Sequence, residues 1–157
     1  MVTTRSARVR AIARVVLGGA LIVAGVGHLT FARVDFQAQV PDWVGLDKNL
    51  VVILSGLVEI ALGAALIVVR RRRALLGFAT GLFFIAVFPG NISQFIDGHD
   101  AFGLNSDSDR RNRLFFQPVL VAWAWWCTDA FALFREREEP RPGRARSEDL
   151  EEGDVEA

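Results

Sequence analysis

LVVILSGLVEIALGAALIVV, residues Leu50 to Val69, carries a single charge, and that charge, Glu59, sits at its centre. At about 1.5 Å of helical rise per residue the stretch is about 30 Å long, matching the hydrocarbon core of a bilayer, and Glu59 lies roughly 14 Å from Leu50. A carboxyl at that depth costs at least ~2.5 kcal/mol if it faces lipid. It must turn inward, find partners or stay protonated. The rest of the chain is read as the structure that receives it.

Three further apolar runs flank this one. Ala11 to Leu29 follows a basic N-terminal segment, residues 1–10, with Arg5, Arg8 and Arg10. Arg14, near the start of the run, is placed to snorkel to the interface. A secretory signal peptide with a small residue at Ala32 is the rival reading; the run is long for an h-region, and His28 near its end speaks for a span. The third run, Ala74 to about Ile92, has Pro89-Gly90 to loosen its last turn, and Gly77 and Gly81 four apart on one face to admit another helix closely. The fourth, Leu114 to Phe134, holds Pro118 in its first turn. Between the runs lie a loop at 31–49 with Trp43 as an interfacial anchor, the turn Arg70 to Arg73, and a polar loop at 97–113.

These observations predict an all-α fold: a four-helix transmembrane bundle over residues 11–134, with spans at about 11–29, 50–69, 74–92 and 114–134. Residues 135–157 are charged, contain proline and lack apolar periodicity, and are read as a disordered tail. The chain has 18 basic and 18 acidic residues, but they are segregated. The tail holds 5 Arg and 9 acids, giving −4, which leaves +4 for the remainder. Neither value implies nucleic acid as a partner. Basic residues gather at the N-terminus, at Arg70 to Arg73 and after the last run, whereas the loops 31–49 and 97–113 are each at −1. By the positive-inside rule both termini are cytoplasmic and those two loops face outward. The expected location is the cytoplasmic (inner) membrane, crossed several times, with the lipid bilayer as the first partner.

With that topology the polar residues inside the runs collect in the outer half. His28 ends the first span. Ser55 and Glu59 are i, i+4 on one face of the second. Asn91 and Gln94 close the third, and Gln117 lies a turn into the fourth, below Arg113 at the boundary. The inner half has only Thr80, Cys127, Thr128 and Asp129. Taken singly, the amides and hydroxyl are sufficiently explained as links between helices, at roughly 0.6–2 kcal/mol each. Glu59 is not, because an ionisable group at mid-membrane is a functional candidate by default. It is assigned proton exchange, with His28 as a partner through water. Trp125 shares the face of Gln117 and Val121 and is a candidate wall for a flat ring, while Trp123 and Trp126 are read as bulk or lipid contacts.

Other chemistries are excluded or weak. The single cysteine, Cys127, allows neither an intrachain disulfide nor a CxxC redox pair. No histidine pair has ligand spacing in the spans and His99 lies in a loop, so no metal site is expected. There is no phosphate loop and no nucleophile–base pair. Asn105 to Asp109 is acidic and is read as solvated loop rather than a cation site.

The ordered set GxxH, VPDW, SGLVEI, the arginine turn, VFPGNI and RLFFQPVLVAWAW resembles the DoxX-like family of four-span bacterial membrane proteins, over about residues 17 to 134. The matching positions are Gly25, His28, Pro41, Ser55, Gly56, Glu59, Pro89, Asn91, Arg113, Gln117 and Trp123; Gly90 departs, since the family often has alanine there. The resemblance implies a subunit of a redox-associated complex with redox partner subunits. Together with the mid-membrane acid below neutral polar groups it leads to the expectation of a quinone-sized polar cavity, with Glu59 for proton exchange and His28, Ser55, Asn91, Gln94, Arg113, Gln117 and Trp125 for binding. A quinone is the cofactor it suggests. The alternatives from the residues alone are a non-enzymatic scaffold that recruits a soluble partner and, less well supported, a small-solute or proton pathway.

Overall fold

The computed structural model describes residues 2–97 and 107–135, and every regular element among them is helical. The elements are α1 (Val2–Leu29), α2 (Arg33–Gln37), a 3₁₀ turn (Asp42–Val44), α3 (Lys48–Val68), α4 (Arg73–Asp97), α5 (Asp107–Thr128) and α6 (Ala132–Arg135). Three of the helical stretches, Arg5–Leu29, Lys48–Val68 and Arg73–Ile96, are long and apolar enough to cross a membrane. The apolar part of α5, Leu114–Thr128, is shorter, about 22 Å of helix. Large apolar side chains point outward along all four long helices, among them Ile12, Val23, Leu57, Leu82 and Val119. A surface of that kind suits acyl chains rather than water.

Four boundaries differ from the sequence reading. The basic segment 1–10 is not separate: α1 starts at Val2, because none of its residues breaks a helix. Pro89-Gly90 does not end α4, which continues two more turns to Asp97; packing of neighbouring elements around the proline holds the ladder together. Residues 107–113, read as loop, form the first turns of α5. The last run does not continue to Phe134, since α5 stops at Thr128. There Asp129 adopts the left-handed conformation (φ 57°), Ala130 N–H donates to the Trp125 carbonyl at 3.0 Å and Asp129 N–H to that of Trp126 at 3.4 Å. This is a Schellman cap with aspartate in the usual glycine position. His99 and the tail beyond residue 135 lie outside the described residues. So does the start of Asn105 to Asp109, whose end falls in α5.

The long helices form two antiparallel pairs, α1 along α3 and α4 along α5, and the pairs meet through α1 and α5 and more sparsely through α3 and α4. Each pair has a seam of glycines. A Cβ on Gly18 would lie 2.7 Å from the Gly63 carbonyl oxygen, and one on Gly25 2.5 Å from that of Gly56. Both sets of glycines are seven apart, so the backbones touch at every second turn. In the other pair Gly77 and Gly81 receive Thr128 and Trp125, so their shared face admits α5 as their spacing predicts.

The apolar core sits toward the arginine-bearing end, where Leu17, Leu21, Leu66, Phe84, Ala124 and Cys127 pack together. Arg14 joins it. Instead of snorkelling outward it is buried and donates from Nη1 to the carbonyls of Leu66 (2.7 Å) and Val69 (3.5 Å). These are last-turn carbonyls of α3 without helical donors, so the cation satisfies them and complements the negative helix end.

The seam predicts an asymmetry between neighbouring glycines. Gly63→Ala should destabilise by about 1–3 kcal/mol through overpacking, seen as a lower melting temperature in detergent. Gly19→Ala, whose new methyl meets nothing within 4 Å, should be neutral or slightly stabilising.

Candidate functional site

Beyond the apolar core the two pairs flank a cavity of about 700 Å³, and Leu17, Leu21 and Phe84 of that core form part of its wall. It lies between all four long helices and is covered by the α1–α3 connection through Phe36, Gln39, Val40, Pro41, Trp43 and Val44. Its walls are mainly apolar, and its polar groups are His28, Ser55, Glu59, Asn91, Gln117 and Gln39.

Glu59 turns inward and is only 8% exposed. Its Oε2 lies 2.8 Å from His28 Nδ1, so the contact is direct and leaves no room for the intervening water of the sequence reading. The reason is side-chain direction. In a helix Cβ tilts toward the N-terminus, so across an antiparallel pair Glu59 leans toward the loop end and His28 away from it. Two residues that seem a turn or more apart in depth thereby meet. The glycine seam brings the helices close enough, since a Cβ on Gly56 would already be 2.7 Å from that of His28.

His28 is held on its other sides. Nδ1 also lies 3.0 Å from the Ala24 carbonyl oxygen, which only accepts, and so Nδ1 carries the ring hydrogen. Phe36 of α2 stacks on the imidazole with centroids 3.4 Å apart and planes 15° from parallel. Glu59 Oε2 lies 2.8 Å from Nδ1 and shares that nitrogen with the Ala24 carbonyl. It is a buried oxygen without an aligned hydrogen-bond donor. A buried acceptor in that state calls for an explanation, and a role toward a donor brought into the adjoining space is one.

The opposite wall is fully paired. Asn91 Nδ2 donates to Gln117 Oε1 at 3.0 Å, and Gln117 Nε2 donates to the Phe84 carbonyl at 2.7 Å, one turn ahead of Pro89. Thus α4 and α5 are joined by amides, as the sequence reading allowed. Gln94 is not a wall of the cavity. It is 2% exposed and accepts from Gln39 Nε2 at 2.8 Å, which fastens the covering connection to α4. On the α3 side Arg33 Nε (2.7 Å) and Gln37 Nε2 (3.0 Å) both donate to Asn49 Oδ1, and Asp47 caps α3 by accepting from Leu50 N–H at 2.8 Å. Gly90 lies under the same cover: a Cβ there would be 2.9 Å from the Gln39 carbonyl oxygen. Glycine, rather than alanine, is therefore what this connection requires.

Of the candidates named from sequence, His28, Ser55, Glu59, Asn91 and Gln117 share the cavity, and Gln94 supports its cover. Trp125 is placed elsewhere. With Gln117, Pro118 and Val121 it lines a separate groove of about 340 Å³ on the outer side of α4 and α5, because the intervening turn of α5 carries it past the cavity. Trp126 is exposed on the apolar perimeter, and Trp123 packs against the core, as read. The Arg113 side chain lies outside the described residues. No group of three or more metal-ligating side chains occurs among the described residues. Phe36 and Gln39 were missed by sequence reasoning. Their only signal was a connection too rich in apolar and amide residues for a solvated loop.

Removal of either partner should be costly. Glu59→Leu and His28→Leu should each destabilise by about 3–5 kcal/mol. The double variant should recover part of that loss, giving a coupling of about 0.5–3 kcal/mol in a double-mutant cycle followed by unfolding in detergent.

A family model described as "Domain of unknown function (DUF8561)" matches residues 17–128, a range that contains every one of these site residues. No curated protein matches the chain, and no solved structure does.

Proposed function

The chain belongs to the DUF8561 family, and we propose that this member is a four-span protein of the bacterial cytoplasmic membrane whose cavity binds a quinone-like ring as part of a redox-associated complex. Both termini are cytoplasmic in this reading and the cavity lies in the outer half. The observation that carries it is the buried Glu59 oxygen without an aligned donor at the edge of a ligand-sized, largely apolar space. Pockets of about 300–1,000 Å³ with apolar walls and a few convergent polar groups are the usual form of a small-molecule site.

The chemistry follows from the donor set. A ring hydroxyl donates to Glu59 Oε2; when the ring is oxidised the carboxylate takes that proton, and the proton of the second ring hydroxyl leaves with the electron pair to the partner subunit. In the reverse direction Glu59 returns the proton to the reduced oxygen. The electron pair passes to or from a partner subunit, since the lone Cys127 cannot form a dithiol couple. His28, held by Ala24 and Phe36, keeps the carboxylate in place and presents Nε2 as its remaining polar atom. The ordered motifs shared with the DoxX-like family support the same reading.

A through-going solute or proton pathway is less well supported. Below the cavity Leu17, Leu21, Leu66 and Ala124 fill the interior, and a proton route needs polar groups there. A scaffold role predicts that Glu59 matters for stability alone.

Titration of the purified protein with a short-tailed benzoquinone, followed by quenching of tryptophan fluorescence, tests the reading. Trp43 lies in the cavity wall and is the reporter. Saturable binding is expected, weakened about tenfold or more in Glu59→Gln, equivalent to about 1.4 kcal/mol. Equal affinity in the two proteins, with Glu59→Gln folded, sinks the proposal and leaves the scaffold.

A further inference from the structure

The cavity's openings differ in character at its end and along its sides. At the loop end the cover is fastened on both flanks, to α4 by Gln39 on Gln94 and to α3 by Arg33 and Gln37 on Asn49, and Val40 and Pro41 are buried beneath it. Along the sides, the pairs meet through α1 and α5 and more sparsely through α3 and α4, and the apolar core closes the inner end. Two residues that line the cavity are at the same time exposed, one on each of the facing helices α1 and α5: Ala20 and Phe116, the latter 56% exposed. Ala24, one turn along α1 from Ala20, is also small and lines the cavity. On the opposite side, between α3 and α4, only Ala86 combines lining with exposure among the residues of those helices.

From this arrangement we infer that the cavity is filled sideways from the bilayer, through a window between α1 and α5 bounded by Ala20 and Phe116, and that its occupant is a neutral, single-tailed amphiphile. Its polar ring sits at Glu59 and its apolar tail leaves through the window into the lipid. The ring's identity rests on the quinone reading; the route and the tail do not. A small side chain facing a bulky one gives an opening at the level of the acyl chains. A tail left there stays in a medium as apolar as itself, so only the ring is transferred into the protein. Entry past Trp43, which is 73% exposed beside the cover, would instead select a water-soluble ligand.

Labelling of the full chain in liposomes separates the two routes. Ser55→Cys in a Cys127→Ser background places one thiol on the cavity wall, one turn from Glu59. A long-chain N-alkyl maleimide dissolved in the bilayer should modify it about tenfold or more faster than a charged, membrane-impermeant maleimide. Ala20→Trp, and to a smaller degree Ala20→Leu, should slow the lipophilic reagent, while Leu82→Trp, exposed on α4 and outside the cavity lining, should leave its rate within about twofold. Comparable rates for the two reagents overturn the inference, as does an unchanged rate in both Ala20 variants with their melting temperatures retained. Because no quinone is used, lateral labelling without quinone binding removes the proposed ligand and leaves the window, and the converse result removes the window alone.

Discussion

A carboxylate buried between two antiparallel helices, one of its oxygens lacking an aligned donor, is the constraint around which this protein is arranged. Such a group is tolerated only when the backbone brings a polar partner within reach. That condition is met by the geometry of the helix pair. The seven-residue spacing of Gly18 and Gly25 against Gly56 and Gly63 lets α1 and α3 touch. The N-terminal lean of side chains on opposed helices then carries Glu59 and His28 toward each other.

The two ends of the molecule are built differently. Near the arginine turn the interior is packed with leucine, alanine and cysteine. The one buried cation there, Arg14, is spent on the open carbonyls at the end of α3. Toward the other end the pairs are linked by amides: Asn91 to Gln117, Gln117 to the Phe84 carbonyl, and Gln39 to Gln94. Neutral amides suit this position. Each satisfies another at little desolvation cost compared with a charge, and together they hold an open space without filling it.

Phe36 and Gly90 show how the covering connection contributes. Phe36 belongs to a helix of only five residues that packs little by itself, yet its ring lies flat on the His28 imidazole. Gly90 accepts the backbone of the same connection at a distance that a methyl group would not permit. The proline beside it does not break α4, and Gln117 bonds the Phe84 carbonyl, next to the Ile85 carbonyl that the missing N–H leaves open.

The apolar runs, the depth of Glu59, the polar residues of one half and the close-packing face of Gly77 and Gly81 were legible in the sequence, since hydropathy and helical period depend on local order alone. So was the membership of His28, Ser55, Asn91 and Gln117 in one polar set. Which of them touch was not legible. Depth along the chain placed His28 and Glu59 apart, and only the crossing of α1 over α3 converts that offset into contact. Trp125 shares a groove with Gln117 and Val121, the face the sequence reading named, but a shared helix face does not reveal which neighbour that face meets, and the groove is not the Glu59 cavity. The cap at Asp129 was hidden because aspartate stands where glycine signals the turn. The apolar runs thus made the chain a set of membrane-length helices, and the pairing of those helices, set by backbone contact at glycines far apart in sequence, decided where its cavity lies and which residues line it.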